Sequence, residues 1–195
     1  MPSNVRKNQR TLIRQSGTYM VSLPKDFIID LGWRTGDKIL VERNDHSVVL
    51  KAESSVIFSL GYEGKTIGSM LQSLKSNEIT DLVDVRNHPF SWNKNFSEKI
   101  LKEALEKEGI RYVNFPKLGA PKNMRIEIKE NGNREKFFSE YSDWLDSNKS
   151  YLDLLDIVAR KNKTAIMCLE ADYHDCHRSI IEKRLKDRGY EVIHL

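Results

Sequence analysis

Thr164-Ala-Ile-Met-Cys-Leu-Glu-Ala-Asp-Tyr-His-Asp-Cys-His-Arg178, followed by Ser179-Ile-Ile-Glu-Lys-Arg-Leu-Lys-Asp-Arg188-Gly189, decides how this chain is read. The opening apolar run, Thr164 to Leu169, predicts a buried strand. Ser179 to Arg188 predicts an amphipathic helix closed by Gly189. Between them, Cys168, Glu170, Asp172, His174, Asp175, Cys176, His177 and Arg178 crowd one strand outlet and one helix mouth. In an open α/β sheet, ligands bind at the carboxyl ends of strands. A helix N-terminus favours anions and lowers the pKa of a nearby thiol.

Outward from this stretch, strands and helices alternate. Val56–Leu60, Asp81–Arg86 and Arg111–Phe115 read as strands, as does the last segment, Tyr190–Leu195. Helical spacing covers Thr66–Ser76, a segment capped by Ser97 and stopped at Gly109, Glu135–Leu145 and Tyr151–Arg160. Pro121 to Asn133 is poor in apolar residues and, with Lys122, Arg125, Lys129 and the following Arg134, reads as a mobile loop over the pocket, a lid or a nucleic-acid track. The expected class is therefore α/β, a largely parallel sheet with helices on both faces.

Residues 1–52 carry nine Lys and Arg against five Asp and Glu, whereas residues 53–195 balance at 23 of each. The whole net charge of +4 thus sits in the first quarter of the chain. That is the electrostatic outline of a nucleic-acid-binding module on a neutral body, or of a solubilising basic face. Thr11–Arg14 and Thr18–Leu23 read as strands joined at Ser16-Gly17. Lys25–Leu31 reads as a short helix with Gly32 as its stop, and Lys38–Arg43 and Ser47–Lys51 as a hairpin. This is a small β-rich module with few apolar side chains, for which a dimer would supply the missing core. We divide the chain into residues 1–52, a polar joint at 53–55, and an α/β domain at 56–195.

Ser16-Gly-Thr-Tyr-Met-Val-Ser-Leu-Pro-Lys-Asp-Phe27, Leu31-Gly-Trp-Arg-Thr-Gly-Asp-Lys38 and the closing hairpin resemble a SpoVT/AbrB-type swapped-hairpin domain. The resemblance implies an intertwined homodimer that binds DNA, or an antitoxin-like module holding a protein partner. It places Arg6, Lys7, Arg10 and Arg14 where DNA would be contacted. The second domain resembles the DUF488 family through Ser59-Leu-Gly-Tyr-Glu-Gly64, Leu82-Val-Asp-Val-Arg-Asn-His-Pro-Phe-Ser91, Leu118-Gly119, Cys168-Leu-Glu170 and Cys176-His-Arg178. That resemblance implies a fold and a pocket, not a reaction. Many members have Gly-His-Ser where this chain has Gly61-Tyr62-Glu63, so a mechanism relying on that His does not transfer.

Four strand outlets supply the candidate site. Asp84, Glu170 and Glu63 are acid/base candidates. Asp84 has the alternative of neutralising Arg86. Cys176, beside His177 at a helix start, is a candidate nucleophile or a packed small residue. Arg86 and Arg178 suit a phosphate or carboxylate, with Tyr62, His177, Ser91 and Lys117 around them, or form structural ion pairs with Asp84 and Glu170. Tyr62, Phe90, Trp92 and Tyr173 could stack on a base or fill the pocket. A metal held by Cys168, His174, Cys176 and His177 lacks zinc-site spacing, so neither metal nor cofactor is expected. With two cysteines, no apolar run near membrane length and no secretory leader, the chain reads as cytoplasmic with reduced thiols.

The function expected is DNA binding, with the second domain hydrolysing at a damaged or modified base. The alternatives are a transcription regulator that senses a small anion without chemistry, and a thiol enzyme using Cys176.

Overall fold

The structure, a computed structural model, describes residues 9–31, 33, 35–52 and 55–195. Arg6, Lys7, Gly32 and the joint at Glu53-Ser54 lie outside the described residues. The chain divides into two compact units, Met1–Glu53 and Ser54–Leu195.

In the first unit, β1 (Ile13–Gln15) and β2 (Thr18–Met20) form an antiparallel hairpin with Gln15 opposite Thr18. Its two-residue turn places Ser16 at φ 49° and Gly17 at φ 84°, the left-handed pair that suits the twist of a hairpin. The first strand starts two residues later than its alternation predicts, and the second ends three residues earlier. Helix α1 (Lys25–Asp30) follows Pro24. A second hairpin pairs β3 (Ile39–Asn44) with β4 (Ser47–Ala52). Among the unit's described residues only Pro24 is buried.

The second unit runs β5 (Ser55–Gly61), α2 (Ile67–Ser76), β6 (Asp81–Asp84), α3 (Glu98–Lys107), β7 (Arg111–Asn114), α4 (Lys122–Asn131), α5 (Arg134–Ser147), α6 (Lys149–Lys161), β8 (Thr164–Cys168), α7 (Arg178–Lys186) and β9 (Tyr190–His194). The five strands are parallel, in the order β7-β6-β8-β5-β9. Alternation along each strand separates two cores. Ile57, Val83 and Ile166 pack with Tyr141, Leu155 and Ile181 from α5, α6 and α7. Phe58, Leu82 and Met167 pack with Met70, Leu74 and Leu101 from α2 and α3. The sheet is thus covered on both faces, as the unbroken apolar strands predict.

Two elements depart from expectation. Pro121 to Asn133 is mostly helix α4, not a mobile loop. Met124 and Ile128, one turn apart, pack on the core, and Gly132 closes the helix at φ 66°. Ser97 does precede α3, but its side chain does not cap it. The Ser97 Oγ instead donates to the Ser91 carbonyl at 3.2 Å, bracing the loop after β6.

Candidate functional site

Chain order sends β6 outward to β7 and β8 the opposite way to β9, so the connections leaving their carboxyl ends diverge. A crevice between such strands is where open α/β sheets bind ligands. There the structure has a cavity of about 200 Å³. Arg86, Asn87, His88 and Phe90 line it after β6, and Cys168, Leu169, Glu170, Asp175 and His177 line it at and after β8. Tyr62 comes from the β5 outlet, and Arg125, Ile128 and Lys129 come from α4. The walls are held by close backbone approach. A Cβ added at Gly61 would fall 1.9 Å from the Glu170 carbonyl oxygen, and one at Gly119 would fall 1.9 Å from the Asn87 nitrogen.

Asp84 does not line this cavity. Its carboxylate has no exposure and accepts from the Arg86 backbone N–H at 3.0 Å, Arg86 Nη2 at 2.5 Å and the Tyr112 hydroxyl at 2.7 Å. Burial works against the Arg86 charge, but Asp84 outweighs it and raises the guanidinium pKa. Burial, then Asp84, pushes the Tyr112 phenol up. The geometry therefore matches the neutralising alternative for Asp84. Arg86 Nη1 also donates to the Tyr62 hydroxyl at 3.0 Å, and the Tyr62 ring stacks on Phe96.

Arg178 is a clamp, also outside the cavity wall. Its Nη1 donates to Ser59 Oγ at 2.9 Å, its Nη2 to the Glu170 carbonyl at 2.6 Å, and its Nε to Cys176 Sγ at 3.4 Å. Ser59 Oγ in turn donates to Glu182 at 2.6 Å, and His194 lies 2.9 Å from the other oxygen of that carboxylate. The other predicted residues scatter. Glu63 is exposed and accepts the Ala171 N–H at 3.2 Å. It shares a shallower neighbouring recess with Tyr62, Phe90, Ser91 and Trp92. Lys117 points elsewhere, over the Trp144 ring at 5.4 Å. In the first unit, Arg14 lies over the ring of Tyr19, its cross-strand partner, and Arg10 donates to the Gln9 carbonyl.

The remaining candidates converge. Cys168 Sγ lies 3.8 Å and Cys176 Sγ 3.7 Å from His177 Nδ1. The Cys168 thiol donates to Glu170 Oε2 at 3.1 Å. His177 Nε2 is 3.1 Å from the Val85 carbonyl, which can only accept, so that nitrogen carries a proton. Burial raises the Cys168 thiol and the Glu170 carboxyl. Burial also opposes the Cys176 thiolate, yet the Cys168 hydrogen bond, with His177 and Arg178 beside it, brings that thiol well below its ordinary range. Burial opposes charge on His177 too, but Cys176 and Glu170 outweigh it and raise the imidazole. Cys176 is 1% exposed and sits one layer behind the cavity wall.

A family model described as a domain of unknown function, DUF488, matches residues 66–185, more than half of the chain. The chain belongs to the DUF488 family. A second model, antidote-toxin recognition MazE of bacterial antitoxins, matches residues 12–58. No curated protein and no solved structure matches. The DUF488 match spans Arg86, Glu170, Cys176 and His177, while the antitoxin match spans Arg14 but not Arg10. An antitoxin domain of this kind suggests a DNA-binding regulator that dimerises or holds a toxin. Among the described residues no helix is long and apolar enough to cross a membrane.

Arg125 and Lys129, expected on a mobile loop over the pocket, do line its wall, but from helix α4; their spacing of four, with Met124 and Ile128 beside them, is the helical signal.

Proposed function

We infer that this is a DNA-associated protein whose parallel-sheet domain takes an anionic, base-bearing ligand and hydrolyses at it. The observation that carries this reading is the cavity wall. Arg125, Lys129, Arg86 and His88 surround a space no larger than about 200 Å³, with Phe90 at its rim. Phe90 is 57% exposed and neighbouring Trp92 is 94% exposed, with the ring centroids 5.8 Å apart. Cations hold phosphate oxygens, and exposed aromatic rings stack on bases. The most concrete form is hydrolysis at a damaged or modified base extruded from the duplex. Arg125 and Lys129 then hold phosphate, Phe90 and Trp92 stack, and Glu170 on the wall activates water. The basic first unit supplies the duplex grip.

Labelled duplexes, each with one modified or mismatched base, test this. Lesion-dependent release, lost in Glu170→Gln and weakened in Arg125→Ala, is the expected result. Binding that leaves every lesion intact would reject hydrolysis. It would favour the second reading, a regulator whose cavity senses an anion, for which the antitoxin-type match speaks. In that case nucleotide in the cavity changes DNA affinity without turnover.

A further inference from the structure

The geometry points to a binding site for a divalent metal ion of the zinc class, formed by Cys168, Cys176 and His177 with Glu170 at the fourth corner. One donor atom from each of the four lies within 4.8 Å of the others. The spacing that argued against a metal lacks a C-x₂-C or H-x₃-H pair, sets Cys176 and His177 side by side where adjacent residues seldom both ligate, and counts His174 as a donor. The fold exchanges that donor, because His174 Nδ1 pairs instead with Asp172 at 2.9 Å while Glu170 turns in.

Three features make this a built site. The first is size. Bonds of 2.3 Å to sulfur and 2.0–2.1 Å to nitrogen give a tetrahedron whose sulfur–nitrogen edge is about 3.6 Å. The two observed edges are 3.8 and 3.7 Å. The second is the support around the donors. A metal-binding His characteristically donates its other N–H to a carbonyl or carboxylate, and His177 Nε2 does this to Val85 at 3.1 Å. Cys176 Sγ accepts from both the backbone N and the Nε of Arg178 at 3.4 Å, which suits a buried thiolate. The third is rigidity, since Cys168 closes β8 and Cys176-His177 open α7.

Two sulfurs, one imidazole and one carboxylate select zinc or a similar borderline ion over magnesium or calcium. A dication would displace the thiol protons and compensate the charge left on the sulfurs and the carboxylate. Glu170 is the least buried of the four and faces the cavity, so it is the ligand that exchanges. This inference does not rest on the hydrolytic reading, and its test reads metal rather than turnover.

The full chain would be stripped with chelator and titrated with Zn²⁺ or Co²⁺ alone. About one metal per chain is expected, with the intense visible bands of tetrahedral cobalt and a thiolate-to-cobalt absorption. Cys168→Ser cuts the thiolate band to about half, the share left to Cys176, or abolishes metal binding, and His174→Ala leaves the band intact. Glu170→Gln retains the metal but weakens it at least about tenfold. Should Cys168→Ser fail to fold, Glu170→Gln carries the comparison. A chain that stays metal-free in excess Zn²⁺, or that isolates with Cys168 and Cys176 joined in a disulfide, overturns the proposal. So does a Glu170→Gln variant of unchanged affinity.

Discussion

Asp84 shows how much one carboxylate supports. It receives three donors from Arg86 and one from Tyr112, and none of it reaches water. Removing one partner of a buried pair strands the other charge, typically at a cost of about 3–5 kcal/mol. Asp84→Ala is therefore expected to lower the unfolding free energy by that amount, read from the shift in denaturation midpoint, whatever its effect on activity. A variant as stable as the parent would return Asp84 to the list of acid/base candidates. This pair was legible in the sequence because residues two apart at a strand end meet locally. The Arg178 clamp was not legible. One of its partners is the backbone carbonyl of Glu170, which no residue type announces, and another is Ser59, 119 positions away.

At the scale of elements, the alternating apolar strands could be read to within a residue or two, because burial on both faces leaves little freedom in pattern. Helix α4 was missed for the opposite reason. Pro121 precedes it with no side-chain cap, and none of its residues is fully buried. Its stability comes from leaning Met124 and Ile128 on the core, a tertiary effect that propensity does not show. That helix brings Arg125 and Lys129 to the cavity. Reversing both, Arg125→Glu with Lys129→Glu, is expected to weaken oligonucleotide binding by the second unit about tenfold or more at low salt, with an unchanged melting temperature. Filter binding over a salt series would check it, and undiminished affinity would exclude α4 from ligand contact.

At the scale of the molecule, the two units pose different problems. The second buries two cores. The first leaves Ile13, Tyr19, Val21, Leu23, Val41 and Val48 exposed, each by more than two fifths of its surface. A unit of this kind is completed by association. The full chain is expected to sediment as a dimer, and Val41→Glu to yield monomer with weakened DNA binding. With two to four phosphate contacts from each protomer, log affinity should fall with log salt at a slope of about −4 to −7. A monomer at micromolar concentration, or a slope near zero, would refute this arrangement. The sequence disclosed both domain families through motifs kept in order. It placed Arg86 and the basic residues after Pro121 at the pocket but could not tell that Arg178 and Lys117 turn away from it, because that depends on partners distant in the chain.

The bond between Ser59 and Glu182 spans 123 positions, and the Arg178 clamp spans nearly as many. Closing so long a loop is entropically expensive and is repaid only when both ends are present. A nascent chain still short of α7 therefore has β5 and β6 but no floor beneath the cavity. The pocket is complete only once α7 is in place, so a chain cut before α7 is expected to keep its first unit while lacking the His177 side of the cavity.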